Sequence, residues 1–243
     1  MAVRLDVALA ERGLCVSRTL AQAMIMAGEV RVDGQVETKA SRKVTDENSL
    51  EITAPAKFVS RGGEKLEGAF EKFGLNVEGL NALDVGSSTG GFTDCLLQHG
   101  AKFVMAVDVG TNQLAYKLRV DPRVWVKENY NARFMKKEDL PCEPDVAVTD
   151  VSFISLKLIL PPIVDVLKPG GKIVALVKPQ FEVGKGNAPG GLVRDERLRE
   201  EARDGVIDFA RNELGLELLG LDVSPIRGKE MGNIEYLAYL KKA

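Results

Sequence analysis

The segment LDVGSSTGGFTD, residues 83–94, carries the densest chemical signal in the chain. Gly86, Gly90 and Gly91 let a backbone approach a ligand closely, and Ser87, Ser88 and Thr89 keep the turn polar. The spacing is neither the dinucleotide G-x-G-x-x-G nor a phosphate loop closed by Gly-Lys-Ser/Thr. Asp84 stands just before the glycines. An acid there repels a pyrophosphate and attracts an ammonium group, which favours the methionine end of S-adenosylmethionine over NAD or ATP. Asp108 closes the next apolar run, about 20 residues on, where a carboxylate can accept hydrogen bonds from ribose hydroxyls. Asn129 and Asn131, in ENYNAR, follow the third run, where they would either read an adenine edge or serve as turn residues.

The elements that must position these residues follow from hydrophobic periodicity. Strands are expected at 81–85, 103–108, 124–127, 145–149, 172–177, 216–222 and 235–240. Apolar runs alternating with helical stretches indicate a parallel sheet covered on both faces, with helices between the first five strands. The connection 223–234 is too short for a crossover helix, so the last two strands should pair antiparallel at the end of the sheet. Residues 1–56 have a different rhythm. Helical spacing runs from Arg4 to Arg12, and again from Arg18 to Ala27 behind a Ser17 cap. Val30, Val32 and Val36 alternate around the hairpin dipeptide Asp33-Gly34, and 49–53 reads as a further strand. The expected organisation is a small α+β domain at 1–56, a linker with a leading helix at 57–79, and an α/β domain at 80–243.

Composition narrows the class. The chain has 243 residues, 45 % hydrophobic and 28 % charged, which suits a folded rather than a disordered chain. Its net charge of −2 provides no global positive field, so nucleic-acid binding would need local basic patches. Cys15, Cys95 and Cys142 are odd in number and form no CxxC, and His99 is the single histidine. A structural zinc site and a His-based triad are therefore not expected, and no metal is assigned. The cysteine pattern fits a reducing cytoplasm. The opening MAVRLDVALAERG does not read as a signal peptide, and no apolar run reaches the roughly 20 residues of a membrane span.

Several long stretches resemble one family. LDVGSSTGGFTD, VMAVDVGTNQLAYKLRVDPRV, TDVSFISL and VKPQFEVGKG are similar to the TlyA family, a branch of the FtsJ-type 2′-O-ribose methyltransferases that historically carries the label hemolysin. SRTLAQAMIMAGEVRVDGQV resembles the RNA-binding module of ribosomal protein S-four. The resemblance covers essentially the whole chain. It implies a seven-stranded, Rossmann-like class I methyltransferase sandwich with a small N-terminal RNA-binding domain, and S-adenosylmethionine as cofactor. It also implies a catalytic Lys-Asp-Lys-Glu tetrad. By motif these are Lys65 in SRGGEKL, Asp150 in VTDVSF, Lys178 in LVKPQFE and Glu235 in GNIEYL. The implied reaction is methylation of a ribose 2′-hydroxyl, by resemblance a cytidine of large-subunit ribosomal RNA. Lys178 is expected to contact the 2′-oxygen, with Asp150 and Glu235 orienting the two lysines.

For RNA, the basic residues Arg4, Arg12, Arg18 and Arg31 of the front module, Arg61 before the leading helix, and Lys185 in the glycine-rich stretch 179–196 are candidate contacts. Phe153 and Phe181 are candidates for stacking on a base or for the core. Three other readings remain: a non-catalytic RNA-binding or ribosome-assembly protein, a membrane-lytic protein, and a small-molecule methyltransferase. The expected partner is ribosomal RNA or a ribosomal subunit, not a membrane.

Overall fold

The computed structural model describes residues 2–53, 57–184, 186–228 and 231–243. Contacts divide the chain into two units, residues 1–57 and 58–243.

The first unit begins with β1 (Val3–Arg4), α1 (Leu5–Glu11) and α2 (Arg18–Met26). Then follow β2 (Val30–Val32), β3 (Gln35–Val36), β4 (Lys43–Val44) and β5 (Leu50–Ile52). Ser17 Oγ accepts the Leu20 amide at 3.2 Å and so caps α2. Asp33 and Gly34 both have positive φ, 53° and 78°, which is what a tight hairpin between β2 and β3 requires. β3, β2 and β5 form one antiparallel sheet, and β1 pairs with β4. Leu5, Leu9, Ala21, Ile25, Val30 and Val32 fill the core between helices and strands.

The second unit opens with α3 (Gly62–Phe73), then β6 (Asn81–Val85), α4 (Gly91–Gln98), β7 (Phe103–Val107) and α5 (Tyr116–Arg119). It continues with β8 (Val124–Lys127), β9 (Val146–Thr149), α6 (Leu160–Val166) and β10 (Lys172–Val177). The chain closes with α7 (Glu196–Asn212), β11 (Glu217–Val223) and β12 (Tyr236–Lys241). One seven-stranded sheet runs in the order β11-β12-β10-β9-β6-β7-β8. Strands β6 to β10 pair parallel, and β12 is antiparallel to both neighbours. The apolar runs of β6, β7, β9 and β10 are buried on both faces, as a doubly covered parallel sheet demands.

The last two strands do pair antiparallel, and β12 inserts between β10 and β11 rather than adding at the edge. One expectation needs correction. Helices do not fill every gap between the first five strands. Only the four-residue α5 lies between β7 and β8, and two 3-10 turns, Ala132–Phe134 and Lys137–Asp139, lie between β8 and β9. The stretch 128–145 holds Asn129, Asn131, Pro141 and Pro144 and no apolar stripe at helical spacing, so turns win there. Residues 57–79 contain α3, whose Leu66 and Ala69 are fully buried in the second unit's core.

Candidate active site

The sheet topology fixes where the charged side chains fall. β9 and β10 are adjacent and parallel, so Asp150 and Lys178, each one residue past a strand, leave the same edge. β12 runs the other way, with Tyr236 opposite Val177, so the residue before it, Glu235, starts at that edge too. Lys65, in the first turn of α3, joins them. Its Nζ donates to Glu235 Oε2 at 2.7 Å and lies 3.6 Å from Asp150 Oδ2. Lys178 Nζ lies 2.6 Å from Asp150 Oδ1 and donates to Ser152 Oγ at 2.8 Å. The Lys178–Asp150 contact is a charge contact, because Asp150 Oδ1 is buried without an aligned hydrogen-bond donor.

Lys65, Lys178 and Glu235 are only 8 %, 7 % and 2 % exposed. Buried charges on this scale persist when paired, and here two ammonium groups meet two carboxylates.

Two clefts meet at this cluster. One, of about 420 Å³, lies over Gly86, Ser87, Ser88, Thr89 and Gly91, with Arg61 and Arg227 on its wall. The other, of about 360 Å³, is lined by Phe153, Gln180, Phe181, Met231 and Asn233 among others. Lys65, Ser152 and Lys178 line both. Phe153 is 83 % exposed, has φ 64°, and its ring centroid lies 5.2 Å from that of Phe181. A bulky residue in the left-handed region is strained, and such strain concentrates at working sites.

The glycine turn is shaped by steric necessity at two positions. Gly86 has φ 82°, and a Cβ there would crowd Val151 and the Asp150 carbonyl at 3.0 and 3.1 Å. A Cβ on Gly91 would collide with Ser60 Oγ and lie 2.7 Å from the Gly63 amide of α3. Beneath the turn, Asp84 is fully buried. Thr93 Oγ1 donates to its Oδ2 at 2.6 Å, and its Oδ1 has no hydrogen-bond partner. Burial pushes this carboxyl up to about 7; the Thr93 hydrogen bond opposes the rise and the nearby Asp150 charge adds to it.

The other sequence candidates fall as follows. Asp108 accepts the Ser88 and Gly110 amides at 2.7 Å each, so it braces the glycine turn. Asn129 takes φ 53°, and Asn131 Oδ1 accepts the Arg133 amide as the cap of a 3-10 turn. These two take turn conformations, and none of Asp84, Asp108, Gly90, Asn129 and Asn131 lines the first cleft. Gly90 instead opens α4 in the left-handed conformation, φ 95°. In the first unit, Arg4 and Arg18 both pair with the buried Asp6 at 2.9 Å, joined by Gln22. The Arg4 hydrogen bond, with help from Gln22 and Arg18, holds the Asp6 carboxyl well below the usual carboxylate range. Arg12 donates to the carbonyls of Asn48 and Thr45, and Arg31 to that of Gly34. Lys185 lies outside the described residues. Ser152 was missed from sequence; its position two past a strand-end acid was the available signal.

A parallel sheet with a glycine turn after its first strand, and a lysine–carboxylate cluster at its carboxyl edge, defines a methyltransferase-type α/β enzyme. The chain belongs to the FtsJ-like methyltransferase family, whose profile matches residues 58–242. An S4 domain profile matches residues 3–49. The chain is 47 % identical to Hemolysin A of Brachyspira hyodysenteriae, over 98 % of its own length and 99 % of that protein. It is 46 % identical to the 16S/23S rRNA (cytidine-2'-O)-methyltransferase TlyA of Mycobacterium tuberculosis, over 98 % and 89 %. The solved structure of a protein described as a hemolysin from Streptococcus thermophilus superposes with a TM-score of 0.77 at 46 % identity, covering 100 % of this chain and 89 % of that one.

The residues present fit S-adenosylmethionine. The first cleft has the polar glycine floor that a backbone-hugging ligand needs, with Ser87, Ser88 and Thr89 along it, and Asp84, buried beneath the turn, braces that floor through Thr93.

Proposed function

We propose that this methyltransferase acts on the ribose 2′-hydroxyl of a cytidine in ribosomal RNA, with S-adenosylmethionine as the methyl donor. The observation that carries this reading is that Lys65, Ser152 and Lys178 line two clefts at once. A donor seated over the glycine turn and a nucleotide seated by Phe153 would meet at Lys178. The relatives' names supply the substrate class.

Bound in the first cleft, S-adenosylmethionine supplies an electrophilic methyl group. The chain's part is to place the oxygen in line with that methyl and to manage its charge. Lys178 has three N–H donors; Ser152 takes one, the Asp150 carboxylate balances the charge, and a remaining donor can reach a ribose oxygen. It stabilises the negative charge that develops on that oxygen as the hydroxyl proton passes to solvent. Lys65 contacts no oxygen in this scheme. It pairs with Asp150 and Glu235 and so fixes the carboxylate that holds Lys178 in place. Phe153, already exposed beside the cluster, offers a face for the cytosine ring. The first unit, through its basic residues, docks the RNA.

The test is transfer of labelled methyl to ribosomal subunits from cells lacking this activity, with Lys178→Ala run in parallel. Wild type should label RNA, and alkali should release the label as a resistant dinucleotide. Lys178→Ala should fall by at least a hundredfold, in the range of lost electrostatic stabilisers. Absence of label on subunits and on naked RNA, with S-adenosylmethionine binding confirmed, would sink the proposal. No described helix is long and apolar enough to cross a membrane.

A further inference from the structure

Away from both clefts, α3 and α4 bring together three side chains that the reaction does not use. Glu67 lies on α3, two residues past Lys65. Cys95 and His99 sit one turn apart on α4, on one face of that helix. His99 Nε2 lies 3.0 Å from Glu67 Oε2, Cys95 Sγ lies 3.7 Å from the same oxygen, and the three donor atoms fall within 4.8 Å of one another. None of the three lines either cleft.

The surroundings favour a cation. The His99 ring stacks on Phe70, with centroids 3.6 Å apart and planes 8° from parallel, so the imidazole plane is set before any ligand arrives. α4 ends at His99, and the carboxyl end of a helix carries partial negative charge. Cys95 is buried, whereas Glu67 and His99 are half-buried, which leaves a route from solvent.

We propose that Glu67, Cys95 and His99 form a three-ligand site for a borderline-soft divalent d-block cation of the zinc class. The donor set decides the class. Thiolate and imidazole select such metals, whereas magnesium and calcium take oxygen ligands throughout. Bonds of about 2.0–2.3 Å need ligand atoms roughly 3.3–3.8 Å apart, so the widest separation closes by at most about 1–1.5 Å. Three protein ligands leave a fourth position for water. On binding, the Cys95 thiol releases one proton to solvent and its sulfur bonds to the metal. The bound cation ties α3, which carries Lys65, to α4, which follows the glycine turn. Scattered cysteines and a single histidine give the sequence no zinc signature. It is the packing of α3 on α4 that brings Cys95 and His99 to Glu67. Remote from both clefts, the cation acts on the tetrad through the position of α3.

The full chain, freed of metal with a chelator, would be titrated with cobalt(II) as a spectroscopic stand-in. The expected result is one equivalent bound, with a thiolate-to-cobalt charge-transfer band in the near ultraviolet that zinc abolishes. Cys95→Ser should lose the band. Glu67→Gln and His99→Gln, at partly exposed positions, should stay folded by circular dichroism and bind at least tenfold more weakly. Zinc should raise the thermal midpoint of wild type and not of these variants. Folded wild type that gives no band and no zinc-dependent midpoint shift would overturn the proposal. A band that survives in Cys95→Ser would do so too, since it would arise at Cys15 or Cys142.

Discussion

Asp84 and Lys178 do different work because their surroundings differ. Asp84 is sealed under the glycine turn with one oxygen unpartnered, and burial lifts its carboxyl to about 7. Its unfolded value lies near 4. The folded chain therefore takes up a proton between about pH 4 and 7, and this group's contribution to stability falls as pH rises through that window. The slope is about 1.4 kcal/mol per pH unit at most, and the effect is flat above the window. Asp84→Asn should thus melt at a higher temperature than wild type at pH 8, with the gain shrinking toward pH 4. If Asp84 receives the ammonium of S-adenosylmethionine, the same variant should bind that ligand at least tenfold more weakly at pH 8. Thermal melts and calorimetry at two pH values check both; a pH-independent gain would mean that Asp84 is not the titrating group. Glu235→Gln tests the other end of the cluster. It keeps shape and removes charge beside Lys65, so single-turnover methyl transfer should slow by about 10-fold or more while S-adenosylmethionine affinity stays near wild type.

At the scale of elements, the site depends on how closely α3 and α4 approach. Gly91 begins α4 and faces Ser60 and the Gly63 amide, and Gly63 in turn is packed against Phe58. Gly91→Ala has no flexible neighbour able to yield on the backbone side, so α3 must shift. We expect a loss of about 1–3 kcal/mol in urea unfolding, the usual cost of overpacking. Because α3 carries Lys65, methyl transfer should fall as well. A second device is Glu182, which accepts from Ser155 Oγ at 2.5 Å and from the Leu156 amide at 2.8 Å. It ties the segment after β9, which holds Asp150 and Ser152, to the segment after β10, which holds Lys178 and Phe181. Burial raises its carboxyl above the ordinary value.

At the scale of the whole molecule, chemistry and recognition are assigned to different stretches of chain. Both clefts and all four charged residues lie within residues 58–243. That piece alone should bind S-adenosylmethionine as the full chain does, yet methylate ribosomal subunits at least tenfold more slowly. Equal rates would remove the first unit from recognition. With a net charge of −2, RNA affinity must come from local faces, so binding by the full chain should weaken steeply with salt.

Much of this was legible in the sequence. The strands β6 to β10 are continuous apolar runs, the hairpin is written in Asp33-Gly34, and the glycine turn follows its strand directly. These are local signals, fixed by period and by backbone sterics. The tetrad came from motif resemblance alone, since an isolated Lys65 or Glu235 has no local mark of burial. Arg4 and Arg18 read as free basic residues, and only folding turns both onto Asp6. Asn129 and Asn131 read equally as ligand or turn; the positive φ of Asn129 and the capping bond from Asn131 to the Arg133 amide appear only in the folded backbone. What the sequence determined by itself was the elements, the glycine turn and the class of chemistry. The tertiary structure decided that β12 inserts antiparallel beside β10, that Glu235 thereby reaches Lys65, and that Glu67 meets Cys95 and His99, because contacts between distant segments depend on strand order and helix packing, which no local period encodes.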